Sequence, residues 1–387
     1  MAEEVKLQPN KSKKKNDRFF DYSLLFACIF TILFGFVLMY SASSYTGTSG
    51  YNDSLYFLKR QLIATALGVV GFIVVMLIDY RIFLKWADII YWGSLASLLL
   101  VLTPLGKSSH GATRWVNLGF TQFQPAELVK IAIIIVVAAM ISRCKTTSLK
   151  NPITCWKILA RPMLAAILLY GLTSNMSSAI IVFLIGFCML AIAGACKKFY
   201  KQFAIFALAG SVLAGLFLMI TGGGFRLERI MVWLKPEQYS QKGGYQVLQG
   251  LYAIASGGLF GKGLGNSAQK LGSLPESTND MIFSIICEEL GLFGAIFVIA
   301  IFVFIIYRMK TIANHVPKKE MFGSMIVTGV TLHIAIQVVM NIAVVTNSMP
   351  NTGVSLPFIS YGGTSVAFLM AEVGLVFSVS KSIGRDR

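Results

Sequence analysis

Apolar residues in this chain come in long blocks rather than in alternation, near positions 19–40, 62–78, 87–105, 124–142, 162–174, 178–195, 202–221, 281–307, 321–345 and 357–380. Most blocks approach the ~20 residues that a helix needs to cross the hydrocarbon layer of a bilayer. Only a helix or a closed barrel satisfies its own backbone in lipid, so the blocks predict spanning helices. The stretch 162–195 is too long for one span and breaks at Thr173-Ser174-Asn175-Met176-Ser177, a polar, turn-prone run. With that break the count is ten, the 162–174 member being short. The first run is too long for a secretory leader and is expected to stay in the membrane. The pattern therefore predicts an all-α polytopic membrane protein. A cytoplasmic basic tail occupies 1–18 and a ten-helix membrane domain 19–381. One large extracellular loop, 222–280, lies between helices 7 and 8, and a short cytoplasmic tail follows over 382–387.

Composition agrees. Of 387 residues 56% are hydrophobic and only 13% charged, against about 25% charged in a soluble domain. A net charge of +17 would by itself admit nucleic acid. The distribution excludes it: 23 of the 34 Lys and Arg fall in 1–18, 79–86, 143–161, 196–201, 308–320 and 381–387. Ten spans with a cytoplasmic N-terminus place all of these inside, as the positive-inside rule requires. Six of the other eleven lie in the long 222–280 loop, where charge weighs less in the rule. Both termini are thus expected in the cytoplasm. The six cysteines show no CxxC spacing and suggest neither a disulfide framework nor a metal site. No internal repeat is visible, which weighs against a transporter built from inverted halves.

Ionisable groups inside spans are the most informative residues, because each costs roughly 2.5–3.5 kcal/mol at mid-bilayer. Glu127 and Lys130 open the fourth helix behind Pro125, and i,i+3 spacing puts them on one face. They either neutralise each other in lipid or line a polar cavity. Asp280 stands where the long loop enters helix eight, as an N-cap of that helix, as an ionised proton acceptor, or as both. Glu288 and Glu289, two turns deeper, line a cavity or pair with a cation that the sequence does not identify. Arg114, Arg226 and Arg229 are outward-facing cations suited to a pyrophosphate or an anionic headgroup. The run from Gly257 to Gly265 lacks the βαβ context of a dinucleotide fingerprint and reads as a flexible hinge carrying Lys262. The segment Leu356-Pro357-Phe358-Ile359-Ser360-Tyr361-Gly362-Gly363-Thr364-Ser365 predicts close helix packing or a backbone that approaches ligand, with Ser360 a candidate contact.

Five ordered motifs carry a family resemblance. They are Gly111-Ala112-Thr113-Arg114-Trp115 with Gln124-Pro125-Ala126-Glu127-Leu128-Val129-Lys130; Gly244-Tyr245-Gln246; the glycine-rich run; Leu274-Pro275-Glu276 with Asp280-Met281-Ile282-Phe283 and Glu288-Glu289; and Thr352-Gly353 with Leu356 through Gly363. The chain resembles the SEDS proteins (shape, elongation, division and sporulation) FtsW, RodA and SpoVE over nearly its whole length. Met39-Tyr40-Ser41-Ala42-Ser43 and Tyr56-Phe57-Leu58-Lys59-Arg60-Gln61 are closer to the FtsW/SpoVE branch. The resemblance implies a glycosyltransferase of the bacterial cytoplasmic membrane that polymerises lipid II on the outer face. It also implies a class B penicillin-binding protein as partner, beside other divisome or elongasome membrane proteins. The family's essential aspartate maps onto Asp280. Two departures stand out. Ser174-Asn175-Met176-Ser177 replaces a family motif that carries Asp where Asn175 stands, and Thr278-Asn279 replaces a His-Thr pair.

On this reading Asp280 takes a proton from the acceptor hydroxyl as it attacks the anomeric carbon of a lipid-linked donor. Arg114, Arg226, Arg229 and Lys262, with or without a divalent cation such as Mg or Mn, would offset charge on the leaving pyrophosphate. Two rivals come from other classes. A lipid II flippase would use Glu127, Lys130 and the Glu pair as a path through the bilayer, and a non-catalytic scaffold would not need Asp280.

Overall fold

The computed structural model describes residues 20–109, 112–117, 122–144, 147–220, 224–239, 241 and 243–383. They form a bundle of α1 Tyr22–Tyr51, α2 Tyr56–Leu77, α3 Arg81–Leu99, α4 Pro125–Arg143, α5 Pro152–Thr173, α6 Met176–Ile192, α7 Lys197–Ile220, α8 Gly224–Leu234, α9 Gly244–Gly257, α10 Ile282–His315, α11 Met321–Val345 and α12 Thr364–Ile383. Among the described residues eight helices (α1 to α5 and α10 to α12) are long and apolar enough to cross a membrane, and α6 is a shorter apolar helix. The fold is therefore helical and multi-pass.

Burial sorts the helices. Residues 132–139 of α4 are apolar and all buried, so the helix is enclosed on every side there and forms the centre of the bundle. α2 lies at the edge, with only Gln61, Ala64, Thr65 and Gly68 buried. It packs closely on α12, where a Cβ on Gly374 would stand 2.7 Å from the Phe72 carbonyl oxygen. Small residues let membrane helices approach in this way.

Several boundaries differ from the sequence expectation. α1 continues past Tyr40 to Tyr51, because its hydroxyl-rich end bonds back to its own carbonyls, Thr48 to Ser44 and Ser49 to Tyr45. The member expected to be short starts ten residues early. Asn151 caps Ile153 N and Pro152 occupies the first turn, and Pro162 is accommodated against Gly186 of α6. The break after it falls where expected: Ser174 is left-handed (φ 48°), and Asn175 caps α6 by accepting from Ser178 N at 3.0 Å. The last helix starts late, at Thr364, because Pro357 and a left-handed Phe358 keep 351–363 out of helix.

Neither rich connection is a plain loop. The 106–123 segment forms a three-stranded antiparallel sheet, β1 Gly106–Ser109, β2 Ala112–Asn117 and β3 Gln122–Phe123. Val116 pairs with Gly106 on one side and Phe123 on the other. The 222–280 segment contains α8 and α9.

Contacts also separate the two ends of the bundle. Arg308 pairs with Asp21, Arg143 and Arg161 with Asp88, and Arg81 with Glu320 at one end. At the other, Thr364 donates to Gln122 O, Ser177 to Thr352 O, and Trp233 to Asn347 O.

Candidate active site

Asp280 precedes α10 but does not cap it. Met281 occupies the cap position, and no side chain bonds the first turn, so the capping expectation is not met. The carboxyl is instead buried, with Gln246 of α9 donating to Oδ1 at 3.5 Å. Gln246 Oε1 accepts from Asn351 Nδ2 at 3.2 Å, and Asn351 Oδ1 accepts from Gly353 N. Burial, then the neighbouring Glu276 charge, push the Asp280 carboxyl up to about 7, against weaker lowering by nearby amides and Gln246. The sequence reading of a freely ionised carboxylate therefore holds only above that range.

The turn that carries Asp280 is held at three successive carbonyls. Tyr361 N donates to Thr278 O at 2.9 Å, Ser360 Oγ to Asn279 O at 2.7 Å, and Asn341 Nδ2 to Asp280 O at 2.8 Å. Asn341 also donates to Val354 O at 2.7 Å, so α11 joins the turn to the 351–363 strap. Ser360 Oγ accepts in addition from Leu356 N. Its one donor is thus spent on the backbone, and its place in the fold is that of a clamp. Gln61 of α2 closes the strap from outside, accepting from Gly362 N at 3.3 Å.

The cations divide into two groups. Arg114 on β2 donates to Ser174 O at 3.2 Å, while its buried Nε has no partner among the described residues. Burial, then the nearby positive charge of Arg229, lower the Arg114 pKa. Arg229 lies on α8, one turn before Trp233, which docks on the end of α11. Two like charges set together attract an anion. Ser177, in the first turn of α6, donates to Thr352, next to Gly353 at the Asp280 carboxyl. The Arg114 site and the Asp280 site are therefore joined by one short strap. Arg226 belongs to α8, but its side chain lies outside the described residues.

Lys262 belongs elsewhere. Its Nζ is 2.6 Å from Glu288 Oε1, and Ser267 Oγ and the amides of Ala268 and Gln269 complete the carboxylate's shell. Glu289 pairs with Lys270 at 2.8 Å and accepts from Ser41 at 2.7 Å. The unidentified cations for the Glu pair are thus Lys262 and Lys270. Lys270 escaped notice because the long loop alone carries six cations with no periodicity to rank them. Glu127 and Lys130 form their own pair at 2.8 Å, buried at the start of α4.

The glycine-rich run is docked rather than a hinge. α10 breaks at Gly291 (φ 66°, ψ −164°), which frees the carbonyls of Glu288 and Glu289 and the amides of Leu292 and Phe293. Lys262 N and Gly263 N take the first two at 2.9 Å, and Gly258 O and Leu259 O accept from the latter two at 3.0 and 3.2 Å. Each broken helical bond is replaced, as buried backbone requires. A Cβ on Gly261 would stand 2.2 Å from Glu289 O at a φ of +80°, so only glycine fits.

Among the described residues no three His, Cys, Asp or Glu side chains are grouped as metal ligands.

A family model described as cell cycle protein (FtsW/RodA/SpoVE) matches residues 22–384. The chain belongs to the FtsW/RodA/SpoVE family. A probable peptidoglycan glycosyltransferase FtsW from Trichlorobacter lovleyi is 36% identical over 371 residues, 94% of each chain. The stage V sporulation protein E of Bacillus subtilis is 33% identical, covering 93% of this chain and 97% of its own. A structure described as a peptidoglycan synthase complex coordinating polymerization and crosslinking contains a chain of TM-score 0.74. It is 25% identical, with 94% of this chain and 98% of that one covered. The rod shape determining protein RodA of Thermus thermophilus shares the fold at TM-score 0.65 and 24% identity, over 94% of this chain and 97% of its own. Family membership thus accounts for a multi-pass helical fold, in which Gln246 and the 351–363 strap meet the Asp280 turn.

Proposed function

We propose that this FtsW/RodA/SpoVE member is a peptidoglycan glycosyltransferase that polymerises lipid II, with Asp280 as its general base. The observation that carries the assignment is the Asp280 turn: a buried carboxyl, fixed at three carbonyls, with a pKa near working pH. A base poised near 7 removes a proton as the bond forms without being inert beforehand. Asp280 accepts the proton of the acceptor sugar's 4-hydroxyl while that oxygen attacks the donor's anomeric carbon. The bond to undecaprenyl pyrophosphate breaks, and attack from the opposite face turns the α-linked donor into a β-linked chain. Arg114 and Arg229 hold the leaving pyrophosphate, with Arg226 of the same helix α8 as a third candidate, while Lys262 stays on Glu288.

In this reading α1 to α7 and α10 to α12 are the ten spans, and α8 and α9 belong to the extracellular 222–280 segment. Both termini are cytoplasmic, and the membrane is the bacterial plasma membrane. The synthase complex that resembles this chain supports a class B penicillin-binding protein as partner. The buried pairs Glu127–Lys130, Lys270–Glu289 and His333–Glu372, with the half-exposed Lys262–Glu288, are closed contacts, which favours a polymerase over a transport path. Purified protein given lipid II, with and without the transpeptidase, is expected to make glycan strands. Asp280→Asn is expected to make none. Near-normal strands from that variant would remove Asp280 as the base.

A further inference from the structure

Between Glu127 and Glu228 the chain has no acidic residue, yet it carries ten Lys and Arg. Eight of these lie in 143–161 and 196–201, which frame the starts of α5 and α7. Arg143 and Arg161 share Asp88, at 2.9 and 3.3 Å. Lys150, Lys157, Lys197, Lys198 and Lys201 are exposed and have no ion pair among the described residues. Five unneutralised lysines at one end of two neighbouring helices form a standing anion-attracting patch.

Directly beside it a groove of about 690 Å³ opens between α5, α6 and α7, lined by Trp156, Met163, Phe183, Phe203, Phe206 and Ala207. Its mouth is polar and fixed: Trp156 Nε1 donates to Gln202 Oε1 at 3.1 Å, and each residue is next in sequence to a lysine, Lys157 and Lys201. Trp at such a position marks the membrane interface. Trp156 lies near the start of α5, whereas Ser174, which meets Arg114, caps its far end. The groove is therefore at the opposite end of the bundle from Asp280, and the glycosyl transfer does not use it.

We infer that this groove and its lysines form a binding site for one anionic phospholipid. Its phosphate sits among Lys157, Lys198 and Lys201, and an acyl chain lies against Trp156, Phe183 and Phe203. Basic pockets beside apolar interhelical grooves hold anionic headgroups. An apolar groove alone would take any acyl chain, so the lysines supply the selectivity.

Native mass spectrometry of the full chain released from membranes of mixed phosphatidylglycerol and phosphatidylcholine tests the site. The expected result is one retained phosphatidylglycerol, with little phosphatidylcholine. The triple variant Lys157→Gln, Lys198→Gln, Lys201→Gln should lose that retention at least fivefold while keeping its melting temperature in pure phosphatidylcholine. Filling the groove with Ala207→Trp should displace the same lipid with all lysines present. Equal retention of both lipids, undiminished retention in the triple variant, or an Ala207→Trp protein that still carries the lipid would each overturn the site. Displacement by undecaprenyl pyrophosphate at equimolar concentration would also overturn it, and would assign the groove to a polyprenyl carrier.

Discussion

Asp280 combines a displaced pKa with a fixed backbone, and the two have separable consequences. An ordinary Asp ionises near 3.9, while burial raises this one to about 7. The folded protein then holds the proton more tightly than the unfolded chain does. The group's contribution to stability is complete below pH ~4 and is lost as pH rises through 7. Polymerisation has the opposite slope, since the base must be unprotonated, so its rate should rise with a midpoint near pH 7. Asp280→Asn removes the charge and keeps the shape. Its melting temperature should exceed that of the parent by a few degrees at pH 8, by less at pH 5, and match it only below pH ~4, as read by thermal unfolding in detergent. A difference independent of pH would mean that the carboxyl is already neutral or already solvated. Asn341 supplies the second test. Asn341→Leu leaves the Asp280 and Val354 carbonyls without their donor, at a cost of about 1–3 kcal/mol for each buried group. Because the base is misplaced rather than removed, kcat should fall by tenfold or more with a smaller change in KM. A shift in KM alone would place Asn341 in substrate binding instead.

Elements explain why some of this was legible in the sequence and some was not. The break at Ser174–Asn175 shows itself because consecutive polar residues inside an apolar stretch have no lipid-compatible reading. The break inside α10 does not, because Gly291 sits in an otherwise apolar run and its repair comes from residues some thirty positions earlier. The same distance hides Lys262 and Lys270 as partners of the Glu pair, and it makes a docked strap look like a hinge. Gly261→Ala tests the docking: a Cβ would meet Glu289 O in a left-handed backbone. The variant should melt several degrees lower and polymerise weakly, whereas a true hinge would tolerate alanine. Glu127 and Lys130 were readable as a pair from spacing alone, though their role is not. Either Glu127→Ala or Lys130→Ala strands a buried charge and should strongly cut polymerisation. The double variant should cost little more than one single, since coupled residues are non-additive. Additive losses in the purified assay would mean that each side chain acts on substrate independently.

At the scale of the molecule, the sequence divides its cations into two sets before any contact is known, and the fold puts the two sets at opposite ends. Arg308, Arg143, Arg161 and Arg81 meet Asp21, Asp88 and Glu320 at one end. Arg114 and the Asp280 turn lie at the other, tied through Ser177 and Thr352. Geometry fixes which segments share a side, and the proposed orientation rests on the rule that Lys and Arg excess marks the cytoplasmic face. That orientation decides whether lipid II is polymerised where the wall is built. Gln241 and Asn314 report on the two sides, since both are exposed. The six native cysteines are free, and Cys28, Cys155 and Cys287 are buried, so all six must be replaced by Ser or Ala before labelling. In that background Gln241→Cys should react with a membrane-impermeant maleimide on intact spheroplasts. Asn314→Cys should react only after the membrane is opened. Each labelling is quantified against the same protein in detergent, so that a slow thiol is not mistaken for a shielded one. Reaction of Asn314→Cys from outside, with Gln241→Cys protected, would invert the molecule and put Asp280 in the cytoplasm, where the acceptor strand is absent.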